Sequence, residues 1–128
     1  LAGVPNALPS LIKAVRMQEK ASHVGFDWHN PQGALDKVME EYKELQVELE
    51  AGDSEKAEAE LGDLLFSIIN VARMYKIHPD NALEKTNRKF MRRFNYVEEK
   101  AIEQGKNLKD MTLEEMDALW NEAKRNNL

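Results

Sequence analysis

Two acidic pairs, Glu41 with Glu44 and Glu60 with Asp63, flank a single glycine, Gly52. Each pair has i,i+3 spacing, which on a helix puts both carboxylates on one face. Glu44 and Glu60 each stand eight residues from Gly52, and Glu41 and Asp63 each stand eleven away. If the chain folds back at the glycine, the four side chains share two axial levels about 4.5 Å apart and converge on one small volume. Residues 36–63 hold eleven acidic residues, offset only by Lys37, Lys43 and Lys56. For Glu48, Glu50, Glu55 and Glu58 a solvated acidic face is sufficient explanation. For Glu60 and Asp63 it is not, because they open an otherwise apolar helix, where an unpaired charge is costly. Either basic side chains or a bound cation must offset them. An oxygen-only cluster without His or Cys suits a hard ion, Mg²⁺ or Mn²⁺. A ferritin-like di-iron site is excluded because no Glu-x-x-His motif is present.

A second cluster comprises Lys85, Arg88, Lys89, Arg92 and Arg93. Lys85, Lys89 and Arg93 recur every fourth residue, a basic stripe beside Phe90 and Phe94. A solvated basic face or a nucleic-acid patch would also read this way. The stripe is short, however, and the chain carries a net charge of −5, so nucleic acid is not the expected partner. Carboxylates that hold a metal, joined by cationic side chains, are the groups needed to hold a polyphosphate. No G-x-x-x-x-G-K-[ST] loop occurs, which excludes a P-loop enzyme.

The elements that must position these groups read as helices throughout. Glycine and proline are few, with 6 and 4 copies, and fall where helices would stop. The expected fold class is all-α: an antiparallel bundle of four to five helices over 10–24, 33–51, 54–76, 79–104 and 112–126. The second helix carries Leu35, Val38, Met39, Tyr42, Leu45 and Leu49 at helical spacing. Gly52-Asp53-Ser54 supplies a left-handed stop and a capping restart. The third helix is apolar around nearly its whole girth, from Leu61 through Leu64, Leu65, Phe66, Ile68, Ile69 and Val71. Burial on most sides is therefore expected, with pairing between chains to complete it. Thr112-Leu113-Glu114-Glu115 is a capping-box pattern for a last helix. At 42% hydrophobic the chain is too apolar for disorder, and its longest apolar run falls far short of the roughly 20 residues of a membrane span. With no cysteine there is no disulfide or thiolate chemistry, which agrees with a cytoplasmic, reducing setting.

The acidic motif, Glu40-Glu41-Tyr42-Lys43-Glu44 followed by Glu60-Leu61-Gly62-Asp63, resembles the E-E-x-x-E and E-x-x-D pattern of MazG-type nucleoside triphosphate pyrophosphohydrolases, members of the all-α NTP pyrophosphatase superfamily. The likeness extends through Val24-Gly25-Phe26-Asp27-Trp28, Leu61 to Phe66, and Ala82 to Phe90 with Arg92-Arg93-Phe94. It covers about residues 8–126. One such domain over 1–128 is expected, with 1–9 as an extended leader. The segment Gly3 to Pro9 is similar to what precedes the C-terminal catalytic unit of longer MazG proteins.

The resemblance implies the reaction NTP + H₂O → NMP + pyrophosphate, with Mg²⁺ as cofactor and Mn²⁺ as a substitute. Glu41, Glu44, Glu60 and Asp63 match the family's metal-ligand positions. Lys89 and Arg93 match its phosphate contacts, with Lys85 on the same stripe and Asn87 as a further nucleotide contact. Trp120 and Lys124 match positions that affect activity, although packing and surface charge would also explain them. Glu40 or Glu41 is the candidate to activate the attacking water, and Phe26 and Trp28 are candidates to stack on a base. The resemblance also implies a homodimer or higher oligomer and broad use of NTPs and dNTPs in nucleotide house-cleaning. Three rivals remain: a base-selective dUTP or dCTP pyrophosphatase, a non-enzymatic helical interaction module, and a divalent-ion buffer.

Overall fold

Asn30 starts the helix that carries the first acidic pair. Its Oδ1 accepts the Gly33 N–H at 3.1 Å, and Pro31 follows at the first helical position, where a missing N–H costs nothing. The computed structural model describes residues 1–128 and contains five α-helices and no strand. They are α1 (Ser10–His23), α2 (Pro31–Ala51), α3 (Ser54–Met74), α4 (Pro79–Glu103) and α5 (Leu113–Arg125), with a 3₁₀ turn at Leu108–Asp110. The all-α expectation holds. The helix over 33–51 begins two residues early because the Asn30 cap and Pro31 were not read as its start.

The chain forms two compact units, residues 1–80 and 81–128. In the first, α2 and α3 form a hairpin, and α1 packs on α3. The hairpin turn is only Gly52-Asp53. Gly52 takes φ 72°, and the N–H groups of Gly52 and Asp53 donate to the carbonyls of Leu49 and Glu48, closing α2. Asp53 Oδ1 then accepts the Lys56 N–H at 3.1 Å to open α3. So short a link between long packed helices makes them antiparallel. At its far end α3 stops at Met74, two residues before the expected boundary. Lys76 adopts a left-handed φ of 59°, and the Ile77 N–H returns to the Ala72 carbonyl. Where α1 meets α3, Gln18 donates from Nε2 to the Phe66 carbonyl at 3.0 Å. Residues 1–9, expected as an extended leader, carry two turns instead, closed by Val4 N–H to Leu1 and Leu8 N–H to Pro5.

The expected burial of α3 does not hold within the single chain. Ser67 and Ile69 are its buried residues, whereas Leu61, Leu65, Phe66 and Ile68 are exposed, Leu65 by 53%. Neighbouring α2 leaves Leu35, Met39, Tyr42 and Leu49 uncovered as well. Hydropathy identified surface that needs cover, but α1 and α2 cover only part of it.

The second unit packs Val97 and Ala101 of α4 against Met111 and Leu119, flanked by Leu108, Met116 and Trp120. The capping box forms as expected: Thr112 Oγ1 accepts the Glu115 N–H at 3.1 Å, and Glu115 Oε1 accepts the Thr112 N–H at 3.3 Å. Tyr96 of α4 donates its hydroxyl to the Glu122 carboxylate of α5 and accepts from Asn126.

Candidate active site

Folding at Gly52 brings the two acidic pairs together. One carboxylate oxygen from each of Glu41, Glu60 and Asp63 lies within 4.8 Å of the others. Glu44 is not among these three, but the carboxylates of Glu41, and then Glu60, push its carboxyl above the ordinary range. Three of the four expected ligands, Glu41, Glu60 and Asp63, therefore lie together across the turn, and Glu44 stands outside that group with Glu41 and Glu60 as its charged neighbours.

Burial is distributed differently from the sequence-based argument. Asp63 is exposed and Glu60 half-buried, whereas Glu41 is only 6% exposed. Glu41 Oε2 and Glu60 Oε2 are both buried without a hydrogen-bond partner. Buried carboxylate oxygens without donors are costly. A cation among them would remove that cost, and an oxygen-only donor set fits a hard divalent ion. The residues present therefore fit such an ion.

Lys37, counted in the sequence only as an offset to acidic charge, touches this group directly. Its Nζ lies 3.0 Å from Glu41 Oε1 and 3.4 Å from Glu40 Oε1. Glu41, with Glu40 adding to it, raises the ammonium above its usual pKa. The i,i+4 spacing of Lys37 and Glu41 was the available signal. Glu40 is exposed and meets the others only through Lys37.

A cavity of about 700 Å³ lies elsewhere on α3, lined by Met17, Gln18, Phe26, Trp28, Asn70 and Arg73 among others. Asp27 and Arg73 clamp its wall: Arg73 Nη1 and Nη2 donate to the two Asp27 oxygens at 3.0 and 2.6 Å. Asn70 accepts from the same guanidinium at 3.0 Å. Trp28 packs so closely on Gly33 that an added Cβ there would meet Trp28 Cε3 at 3.1 Å. Asp27 and Arg73 are separated by 46 residues, so no local pattern announces their pairing.

In the second unit, Lys85, Asn87 and Lys89 are exposed on α4, and Lys124 is exposed on α5. Arg93 and Trp120 are brought together. The guanidinium carbon lies 5.5 Å from the indole centroid, and Arg93 Nε donates to the Leu128 carbonyl at 2.9 Å. Trp120 also tilts against Phe90, which stacks on Phe94 with centroids 5.9 Å apart.

These features define an all-helical protein with a carboxylate cluster on a helical hairpin. The pattern of the MazG nucleotide pyrophosphohydrolase domain matches residues 29–98, and the chain belongs to that family. The match includes both acidic pairs and the basic stripe; Phe26, Trp28, Trp120 and Lys124 fall outside it. The chain is 45% identical over 117 residues to a nucleoside triphosphate pyrophosphohydrolase/pyrophosphatase MazG of Thermotoga maritima, covering 91% of this chain and 45% of that one. It is 54% identical over 125 residues to the uncharacterized protein YabN of Bacillus subtilis, covering 97% and 26% respectively. A nucleoside triphosphate pyrophosphohydrolase of Escherichia coli K12 is 39% identical over 124 residues, covering 95% and 47%. The chain thus spans half or less of the length of these relatives. The enzyme class expected from the motif, a nucleotide pyrophosphohydrolase, is that of the family.

Proposed function

We propose that this chain hydrolyses nucleoside triphosphates between the α- and β-phosphates, releasing the monophosphate and pyrophosphate. The observation that carries this reading is the clustering of Glu41, Glu60 and Asp63, with buried, donorless oxygens on Glu41 and Glu60; we add Glu44, one turn from Glu41, as the fourth ligand. Mg²⁺, or Mn²⁺ in its place, is the ion we assign to these four residues. When bound, such an ion supplies charge neutralisation on the phosphate oxygens and acidifies a water.

The chain's own residues then have distinct tasks. Lys85, Lys89 and Arg93 offer donors to phosphate oxygens, and Arg93 is oriented by stacking on Trp120. Asn87 and Lys124 are the further nucleotide contacts we assign. A carboxylate must take the proton as water attacks the α-phosphorus and the bond to the bridging oxygen breaks. Glu41 belongs to the cluster, so the exposed Glu40 beside it is the base we favour. The cavity along α1 and α3 is the seat we propose for the base. Asn70 lies two helical turns beyond Asp63, about 10 Å along α3. Stacking on Phe26 or Trp28 would tolerate any base, which supports broad specificity and a house-cleaning role. A homodimer would cover the apolar faces of α2 and α3, and a cytoplasmic setting would supply the substrates.

Product analysis tests this. Each NTP and dNTP is incubated with the chain and Mg²⁺, with Glu60→Gln as control, and NMP, NDP, pyrophosphate and orthophosphate are separated. NMP with pyrophosphate from several bases, lost in the variant, is the expected result. Turnover confined to dUTP or dCTP would make the enzyme base-selective. No turnover of any nucleotide would favour the interaction module, or a cation buffer if Mg²⁺ binding is unchanged by a non-hydrolysable NTP.

A further inference from the structure

Lys37 is the one cation in ion-pair contact with the four-carboxylate group, and it binds the most buried member. Its own side chain is 37% exposed while that of Glu41 is 7% exposed, so the lysine reaches solvent and the carboxylate it binds does not. Four carboxylates with nothing else among them would carry a formal charge of −4. Lys37 reduces this to −3, and it does so through Glu41 Oε1, leaving Oε2 without a partner.

We infer that Lys37 is a tethered counter-cation that holds the metal-free site together and lowers its affinity for a free divalent ion. The inference rests on the metal-centre reading proposed above. A divalent ion among these carboxylates would feel the ammonium charge. Charges of +1 and +2 about 6 Å apart in water-like surroundings repel enough to weaken binding by about tenfold. The same lysine stabilises the metal-free state, in which it is the only positive partner of a buried carboxylate. Both effects push one way, because a group that favours the empty site more than the filled one must weaken binding by that difference. The functional consequence is that the site is poorly filled by the ion alone. A triphosphate delivers the ion already partly neutralised and adds its own oxygens, so ion and substrate load together.

The test compares the unmodified chain with Lys37→Met and Lys37→Arg, using Mn²⁺ as the sole probe and electron paramagnetic resonance of the free ion to obtain Kd. Thermal unfolding is followed in EDTA and in saturating Mn²⁺. The expected result is that Lys37→Met binds Mn²⁺ about tenfold more tightly, melts lower in EDTA, and has a wider gap between its two melting temperatures. Lys37→Arg, which keeps the charge, should match the unmodified chain. A Kd for Lys37→Met that is unchanged or weaker, with binding intact in the unmodified chain, would overturn the counter-cation role and leave the metal centre standing. Absence of Mn²⁺ binding by the unmodified chain, with or without triphosphate, would overturn the metal centre itself, and the inference with it.

Discussion

Asp27 and Arg73 are joined at both carboxylate oxygens, tying the segment between α1 and α2 to the last turn of α3. Both side chains are largely shielded, at 26% and 13% exposure, so the pair fixes the chain more firmly than an open surface bridge would. Replacing Asp27 by Asn should cost about 1–2 kcal/mol in urea unfolding, at or below the roughly 1.5–3 kcal/mol of a hydrogen bond to a charged group because solvent still reaches the pair. Arg73, aided by the Trp28 N–H, holds the Asp27 carboxyl below its ordinary value of 3.8. A carboxyl lowered in the folded state adds stability above its unfolded pKa and loses it as pH falls through the folded one. The unmodified chain should therefore lose stability more steeply than Asp27→Asn below about pH 4.

Glu44 is crowded by Glu41 and Glu60. Neutralising it should relieve repulsion in the metal-free chain at the expense of function. Glu44→Gln is expected to melt higher than the unmodified chain in EDTA at pH 7. It should gain less from Mg²⁺ and lose activity by more than about tenfold, the lower end of what loss of an outer-shell partner costs. Paired melting curves and turnover assays check all three. A lower melting temperature in EDTA would show that Glu44 is held by attraction rather than repulsion.

Gly62 stands in the interior of α3, and an added Cβ would meet nothing within 4 Å. A mid-helix glycine costs roughly 0.5–1 kcal/mol relative to alanine. Gly62→Ala should therefore stabilise the chain by that amount in denaturant unfolding. It adjoins Asp63, so activity measured in parallel will show whether ligand geometry tolerates the methyl group.

The uncovered faces of α2 and α3 lead to a fourth expectation. If a second copy covers Leu35, Met39 and Tyr42 with Leu61, Leu65 and Ile68, folding stability includes an association step. Each tenfold rise in protein concentration should then add about 1.4 kcal/mol to the stability of the pair. Melting temperatures across two decades of concentration, read beside sedimentation, provide the measurement. A melting temperature independent of concentration would mean that these residues stay uncovered.

The carboxylate register was legible because it depends on one turn glycine and two helical periods, both local properties of the chain. Lys37 was legible in principle, since its spacing from Glu41 is that of a helix neighbour, but a count of charges does not show which partner is buried. Asp27 and Arg73 left no local trace, because their pairing arises only once α1 and α3 meet. Hydropathy around α3 identified Leu65 and Ile68 as needing cover, and within one chain α1 and α2 do not supply it. The end of α3 was misplaced because Lys76 adopts a backbone conformation that glycine or asparagine would have announced.

The two-residue turn at Gly52-Asp53 has one more consequence. Surface turns usually accept insertions and deletions, and length changes among relatives collect there. Here the opposing carboxylates are counted from that turn. An added residue absorbed into either helix would rotate everything beyond it by about 100° and advance it by about 1.5 Å. Glu60 and Asp63 would leave the face they share with Glu41 and Glu44 while the helices stayed well formed. The two-residue link of the hairpin is thus where a change of length, rather than of residue type, would scatter the carboxylates without unfolding the chain.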